Sequence, residues 1–223
     1  MRYLTLILIV FSLLASPLFA QQNKPFFEKG SKAVLFEFQG FDNLGANSFN
    51  GGIGGKYFIQ PKLAIRGGVQ FASISEDIPF QGTNGIDGEA SATQFGIFGA
   101  VEYHLDTARV SPYLGGGLGV SFTSTESKSA EADPVDQVTI KNNRNGQFGY
   151  FGGTEFTLFG IAGVEIFIIK NLSLAAEYRL GLQQLSRKDE ERTQGNTTVT
   201  TKQGSRMIWG LASAGVLTLA IYF

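Results

Sequence analysis

From residue 31 onward, apolar residues alternate with polar or small ones at a period of two, the spacing of a strand with two unlike faces. The pattern predicts strands near 31–41, 49–59, 62–75, 92–104, 111–123, 154–168, 173–187 and 204–223. Each is at least as long as the roughly 9–11 residues that a tilted strand needs to cross a bilayer, and longer than an average soluble strand of about 5 or 6. The connections alternate in length. Gln60-Pro61, Leu105 to Val110 and Ile169 to Leu172 are tight, whereas Asp42 to Ser48, Glu76 to Ser91, Ser124 to Gly153 and Lys188 to Gln203 are long, polar and rich in Gly, Asn, Thr and charge. Short turns on one side and long loops on the other are the arrangement of an outer-membrane barrel; a soluble sandwich has no reason to sort its loops by parity.

The two faces sort in the same sense. In the third strand Leu63, Ile65, Val69 and Phe71 share one face, and Ala64, Arg66, Gln70 and Ala72 the other. The fourth sets Phe95, Ile97, Val101 and Tyr103 against Gln94, Gly96, Phe98, Ala100, Glu102 and His104. Charges sit among Gly and Ala, which suits a narrow lumen, so the apolar face is assigned to lipid. Phe49, Phe71, Phe95, Phe122, Phe156 and Trp209 fall on that face near the long-loop ends, and Tyr57, Tyr103 and Phe223 at the opposite ends, as two aromatic belts at the lipid–water boundaries would require. The expected fold is all-β: an eight-stranded, antiparallel, up-and-down transmembrane β-barrel.

Composition agrees with strands over helices. Gly accounts for 29 of 223 residues and Phe for 20, and a helix interior loses about 1 kcal/mol per Gly against Ala. Arg2, the apolar run Leu4 to Leu14 and the end at Ala20 read as a secretory signal peptide over residues 1–20. A short periplasmic segment over 21–30 and the barrel over 31–223 follow from it. A formal net charge of -1 disfavours a nucleic-acid surface. The absence of Cys and the single His leave no thiolate or disulfide chemistry, and no cofactor or metal site is expected.

Several strands share a phrase, as in Gly99-Ala100-Val101-Glu102-Tyr103, Ala162-Gly163-Val164-Glu165-Ile166 and Leu174-Ala175-Ala176-Glu177-Tyr178. With Gly67-Gly68-Val69 and Gly115-Gly116-Gly117-Leu118-Gly119, the chain resembles the small outer-membrane β-barrel family that includes outer membrane proteins A and X of Gram-negative bacteria. The segment Leu217 to Phe223 resembles the closing strand whose terminal Phe is read by the barrel-assembly machinery, and Phe19 to Gln22 is similar to signal ends common in Bacteroidota. The resemblance implies the outer membrane as location, lipid and the assembly machinery (through Phe223) as partners, and a monomer. The sequence departs from that resemblance in one respect: it stops at the final strand, so the peptidoglycan-binding domain that follows the barrel in outer membrane protein A is not expected here.

Inward-facing ionisable residues are Glu37, Lys56, Arg66, Glu102, Glu165, Glu177 and Arg179. About the tight turns, Lys56 is expected opposite Arg66, and Glu165 opposite Glu177 with Arg179 diagonal to it. Like charges facing on adjacent strands are unfavourable unless neutralised from elsewhere. Strands two and three lie across an eight-stranded lumen from strands six and seven, so the basic pair can meet the acidic pair in a salt-bridge plug. The competing readings are Glu165 and Glu177 as a general acid–base pair, and a narrow gated ion pore. His104, at the turn end of strand four with no flanking Ser in its own strand, reads as a satisfied interfacial histidine rather than a base of the kind used by barrel enzymes resembling lipid A deacylases. The run Gly51 to Lys56 fails as a phosphate loop, because Tyr57 follows where Ser or Thr is required. The loops 124–153 and 188–203 are the expected contact surface for an extracellular protein partner. The Thr197-Thr198-Val199-Thr200-Thr201 stretch has strand propensity and implies a protruding hairpin with an edge open to pairing. The function expected on these grounds is non-enzymatic: an envelope structural role, surface-loop interaction, or both, with a lipid-modifying enzyme as the alternative.

Overall fold

The computed structural model describes residues 25–39 and 48–223, apart from the side chains of residues 39, 48, 49 and 207–214. The proposed signal, most of the first long loop and the side chains of Phe49 and Trp209 lie outside the described residues. Long strands dominate: β1 (Lys32–Gln39), β2 (Ser48–Gln60), β3 (Leu63–Ile78), β4 (Gly88–His104), β5 (Val110–Lys128), β7 (Gly153–Ile169), β8 (Leu172–Arg187) and β11 (Arg206–Tyr222). Three short ones, β6 (Val138–Lys141), β9 (Glu190–Gln194) and β10 (Thr197–Thr201), lie within the long connections.

Every long strand pairs antiparallel with its neighbour in the chain, and β1 pairs with β11, Val34 opposite Ile221 and Phe38 opposite Leu217. The ring β1-β2-β3-β4-β5-β7-β8-β11 therefore closes on itself as an eight-stranded antiparallel barrel. Closure is what removes unpaired backbone groups from contact with hydrocarbon, which offers them no hydrogen bond. The expected strands are present, and β3, β4 and β5 run further than predicted at the long-loop end: β3 and β4 stay paired out to Ile78 and Gly88, which shortens the connection expected over 76–91.

The outer face is apolar. Ile65, Val69, Ile97, Val101, Leu114, Leu118, Leu158 and Leu182 are all exposed, although a soluble fold would bury them. Phe71, Phe95 and Phe122 stand in one row across three adjacent strands, with Phe156 beside them through its pairing with Val120. Towards the short turns, Tyr57, Tyr103 and Phe223 are exposed.

Two readings change. A bulge between Phe167 and Ile169 resets the register after the Lys170-Asn171 turn, so Glu165 faces Ala175 and Glu177 faces Gly163. The two carboxylates are diagonal rather than opposed. Secondly, the long connection expected over 124–153 carries structure of its own: it holds a 3-10 turn at Pro134–Asp136 and β6, which pairs with the end of β5 and with β9. A sheet in the order β5-β6-β9-β10 thus continues past the barrel, with β10 as its last strand among the described residues.

Candidate functional site

Small inward residues such as Ala64, Ala72, Ala100 and Ala175 leave space for long charged side chains from the strands facing them. Lys56 on β2 reaches Glu165 on β7 at 3.1 Å and Glu102 on β4 at 2.9 Å. Arg66 on β3 sets Nη1 2.8 Å from Glu102 and Nη2 2.8 Å from Glu177 on β8, with Glu37 on β1 at 3.9 Å. Arg179 links Glu177 (2.5 Å) to Glu37 (2.9 Å). The structure therefore brings all seven inward ionisable residues into one buried network drawn from six of the eight ring strands. Lys56 lies beside Arg66 in register, as the turn geometry implies, and Glu102 stands between the two cations with one carboxylate oxygen towards each. Those contacts are ion pairs by distance only, since neither Glu102 oxygen meets hydrogen-bond angles.

Four carboxylates face three permanent cations, and neutral donors take up part of the surplus. Tyr113 donates to Glu177 at 2.9 Å, Tyr222 donates to Glu165 at 2.7 Å, and Ser173 donates to the same Glu165 oxygen. None of these three was singled out from sequence, although alternation alone sets Tyr222 inward, on the face opposite Phe223. Tyr113 depends on a glycine: a Cβ at Gly163 would lie 2.5 Å from the Tyr113 ring, so only Gly lets the phenol cross to Glu177.

Aromatic side chains close both sides of the network. Towards the short turns, Phe27 from the N-terminal segment is buried against Phe58 (centroids 4.3 Å), His104 (4.8 Å) and Phe167 (5.7 Å). On the other side, Phe98 and Phe159 lie 5.4 Å from the Arg179 guanidinium carbon, within cation–π range. Above that floor the lumen widens into a vestibule of about 410 Å³ lined by Gln70, Gln94, Thr123, Thr157, Glu155 and Gln183.

His104 is a correction. It is fully buried inside the barrel rather than interfacial, and the neighbouring strand β5 supplies a Ser beside it: Nδ1 lies 2.8 Å from Ser111 Oγ, and Nε2 3.5 Å from Glu102. The trio has the composition of a nucleophile with its base and orienting acid. Its hydrogen bonding opposes that use. The Ser111 hydroxyl donates to the Asp106 carbonyl at 2.5 Å, which leaves its oxygen as the acceptor for His104 Nδ1–H, the reverse of what proton abstraction from Ser requires. The Glu165–Glu177 acid–base reading has no substrate space either, because Lys56, Arg66, Tyr113 and Tyr222 occupy the volume around both carboxylates. Among the described residues, no group of three or more His, Cys, Asp or Glu is placed to hold a metal ion.

Comparison with known proteins gives one family model, described as outer membrane protein beta-barrel domain, which matches residues 6–203. Among solved structures, a major outer membrane protein from Thermus thermophilus is similar at 16% identity, with 86% of this chain and 99% of that one covered and a TM-score of 0.52. The N-terminal β-barrel domain of Pseudomonas aeruginosa OprF matches at 12% identity over 88% of this chain and 100% of that one, with a TM-score of 0.36. No curated protein matches the chain. The closed ring with its apolar exterior and the family match over most of the sequence lead to one conclusion: the chain belongs to the outer membrane protein β-barrel family and resides in the bacterial outer membrane.

Proposed function

We propose that this chain is a non-enzymatic outer-membrane barrel, closed to diffusion, that supports the envelope and presents its long-loop sheet outside the cell. The observation that carries the reading is the buried ionic network: seven charged side chains from six strands fill the lumen at one level, with Phe27 and its aromatic neighbours beneath them. An eight-stranded barrel has an interior about wide enough for side chains, so such a layer leaves no path for solutes. In this reading the short turns and Phe27 face the periplasm, and the Phe71–Phe95–Phe122 row and the Tyr57, Tyr103 and Phe223 rings mark the two lipid–water boundaries. Phe223, 76% exposed at the chain end, is available to the assembly machinery. The loops 124–153 and 188–203 are the contact surface for a partner.

Mass spectrometry of outer-membrane lipid from cells with and without the protein tests the non-enzymatic part. An unchanged acyl pattern is expected. A changed pattern that wild type restores and Ser111→Ala does not would overturn the reading. A narrow ion path is the second reading, favoured by the polar vestibule, and conductance separates it from a closed barrel.

A further inference from the structure

Strand β10 reads Thr197-Thr198-Val199-Thr200-Thr201, the same in both directions, and all five residues are exposed. Its inner edge pairs with β9, and its outer edge has no partner among the described residues. Native sheet edges are commonly blunted by Lys, Pro or a bulge, and none of these interrupts this stretch. We propose that β10 pairs antiparallel with β10 of a second copy of this chain, centred on Val199. The proposal rests on the reading of the long-loop sheet as a presented surface, and it names the partner.

Symmetry fixes the direction. One edge of a strand can meet the same edge of an identical strand only about a two-fold axis, so the pairing is antiparallel and the interface is isologous. The hydrogen-bond phase then fixes the centre. The two-residue turn Gly195-Asn196, with Gly195 at φ 53°, closes on Gln194 and Thr197 as a hydrogen-bonded pair, and the alternation along the hairpin gives Val199 and Thr201 to β9 as well. The N–H and C=O groups of Thr198 and Thr200 are the ones that point outward. About a centre at Val199, Thr198 of one copy faces Thr200 of the other, twice over, so every outward backbone group finds its complement.

The side chains agree with that register. Val199 meets Val199 and Thr197 meets Thr201, and Thr–Thr pairs are among the favourable cross-strand neighbours. Just beyond the strand, Lys202 meets Asn196, so no like charges are opposed. On β9, Arg192 sits beside Val199, which puts the two Arg192 side chains three strand spacings apart, about 14 Å. That exceeds the screening length of about 8 Å at physiological salt. The two-fold runs normal to a sheet that continues the barrel wall, so the paired barrels point in opposite directions and the contact joins copies on two facing membranes; being only five residues long, it acts through many copies across that gap rather than as a tight dimer of isolated molecules.

The absence of native Cys makes the register directly readable. Val199 and its symmetry mate form a non-hydrogen-bonded pair with Cα atoms about 4.5 Å apart, within disulfide range. Purified full-length Val199→Cys in phosphatidylcholine vesicles, pelleted together so that their surfaces touch under mild oxidation, should give a disulfide dimer in at least tenfold excess over exposed Thr83→Cys. Thr198→Cys and Thr200→Cys should each stay monomeric alone and cross-link when mixed. Thr198→Pro, which removes an outward N–H and leaves the β9 ladder intact, should abolish the Val199→Cys dimer. Each variant is first checked for the folded, heat-modifiable form on gels. Dimers from Val199→Cys no more abundant than from Thr83→Cys, or equal self-linking at 198, 199 and 200, would overturn the proposal. Should Val199→Cys not fold, dipolar distances from a spin label at Thr83 decide in its place, with a pair distance abolished by Thr198→Pro expected and one unaffected by it contradictory. A negative result here leaves the lipid and conductance tests of the closed, loop-presenting barrel untouched.

Discussion

Lys56 and Glu165, 109 positions apart in the chain, meet inside the barrel at 3.1 Å, one on β2 and the other on β7, directly across the ring. Neither residue has an opposite charge on an adjacent strand at its own level: Lys56 lies beside Arg66, and Glu165 faces Ala175. The contact exists only because the sheet closes, so it couples barrel formation to charge neutralisation. Truncating one member of a buried pair leaves an uncompensated charge.

Lys56→Met should therefore destabilise the folded barrel by about 3–5 kcal/mol, and the double variant Lys56→Met with Glu165→Gln by clearly less than the sum of the two single changes. Urea unfolding in detergent, followed through the single Trp, measures both. Additive losses would show that the pair does not act as one unit.

The Tyr113 phenol adds a hydrogen bond to a charged acceptor, Glu177, through the gap left by Gly163. Tyr113→Phe should cost about 1.5–3 kcal/mol in the same unfolding assay. Gly163→Val should cost more, because its side chain must displace the ring itself.

Strand count, loop parity and the inward set Glu37, Lys56, Arg66, Glu102, Glu165, Glu177 and Arg179 were legible because alternation with period two survives in long strands, and it states which face each residue occupies. What it does not state is register across an irregular turn. The bulge between Phe167 and Ile169 shifts the register by one residue and leaves Ala175, not Glu177, opposite Glu165, and nothing in Ile168-Ile169-Lys170-Asn171 announces it. The four residues of β6 are too few to show a period, and their strand exists because β5 and β9 flank it. Ser111 joined His104 only through the register fixed by the β4–β5 turn. Phe27 left a fainter trace: two adjacent Phe in a polar stretch ahead of the first strand were evidence of burial that a reading as a tail passed over.

The assignment of faces predicts opposite outcomes for the same substitution. Leu118 is 55% exposed and lies midway along β5 between Leu114 and Phe122. Leu118→Arg should cost about 2–4 kcal/mol in lipid, as an arginine at the bilayer midplane does. Gln70→Arg, pointing into the vestibule, should change stability by no more than about 0.5 kcal/mol. Reversible unfolding in lipid vesicles compares them, and the reverse order would mean that the apolar face is the interior.

The most direct test of a closed, plugged barrel is planar-bilayer recording of the purified protein. Wild type should show no stable channel, since Phe27 and its aromatic neighbours at one level and the Lys56–Arg66–Arg179 network at the next both block the lumen. Stable, reproducible conductance from folded wild-type protein would contradict the account.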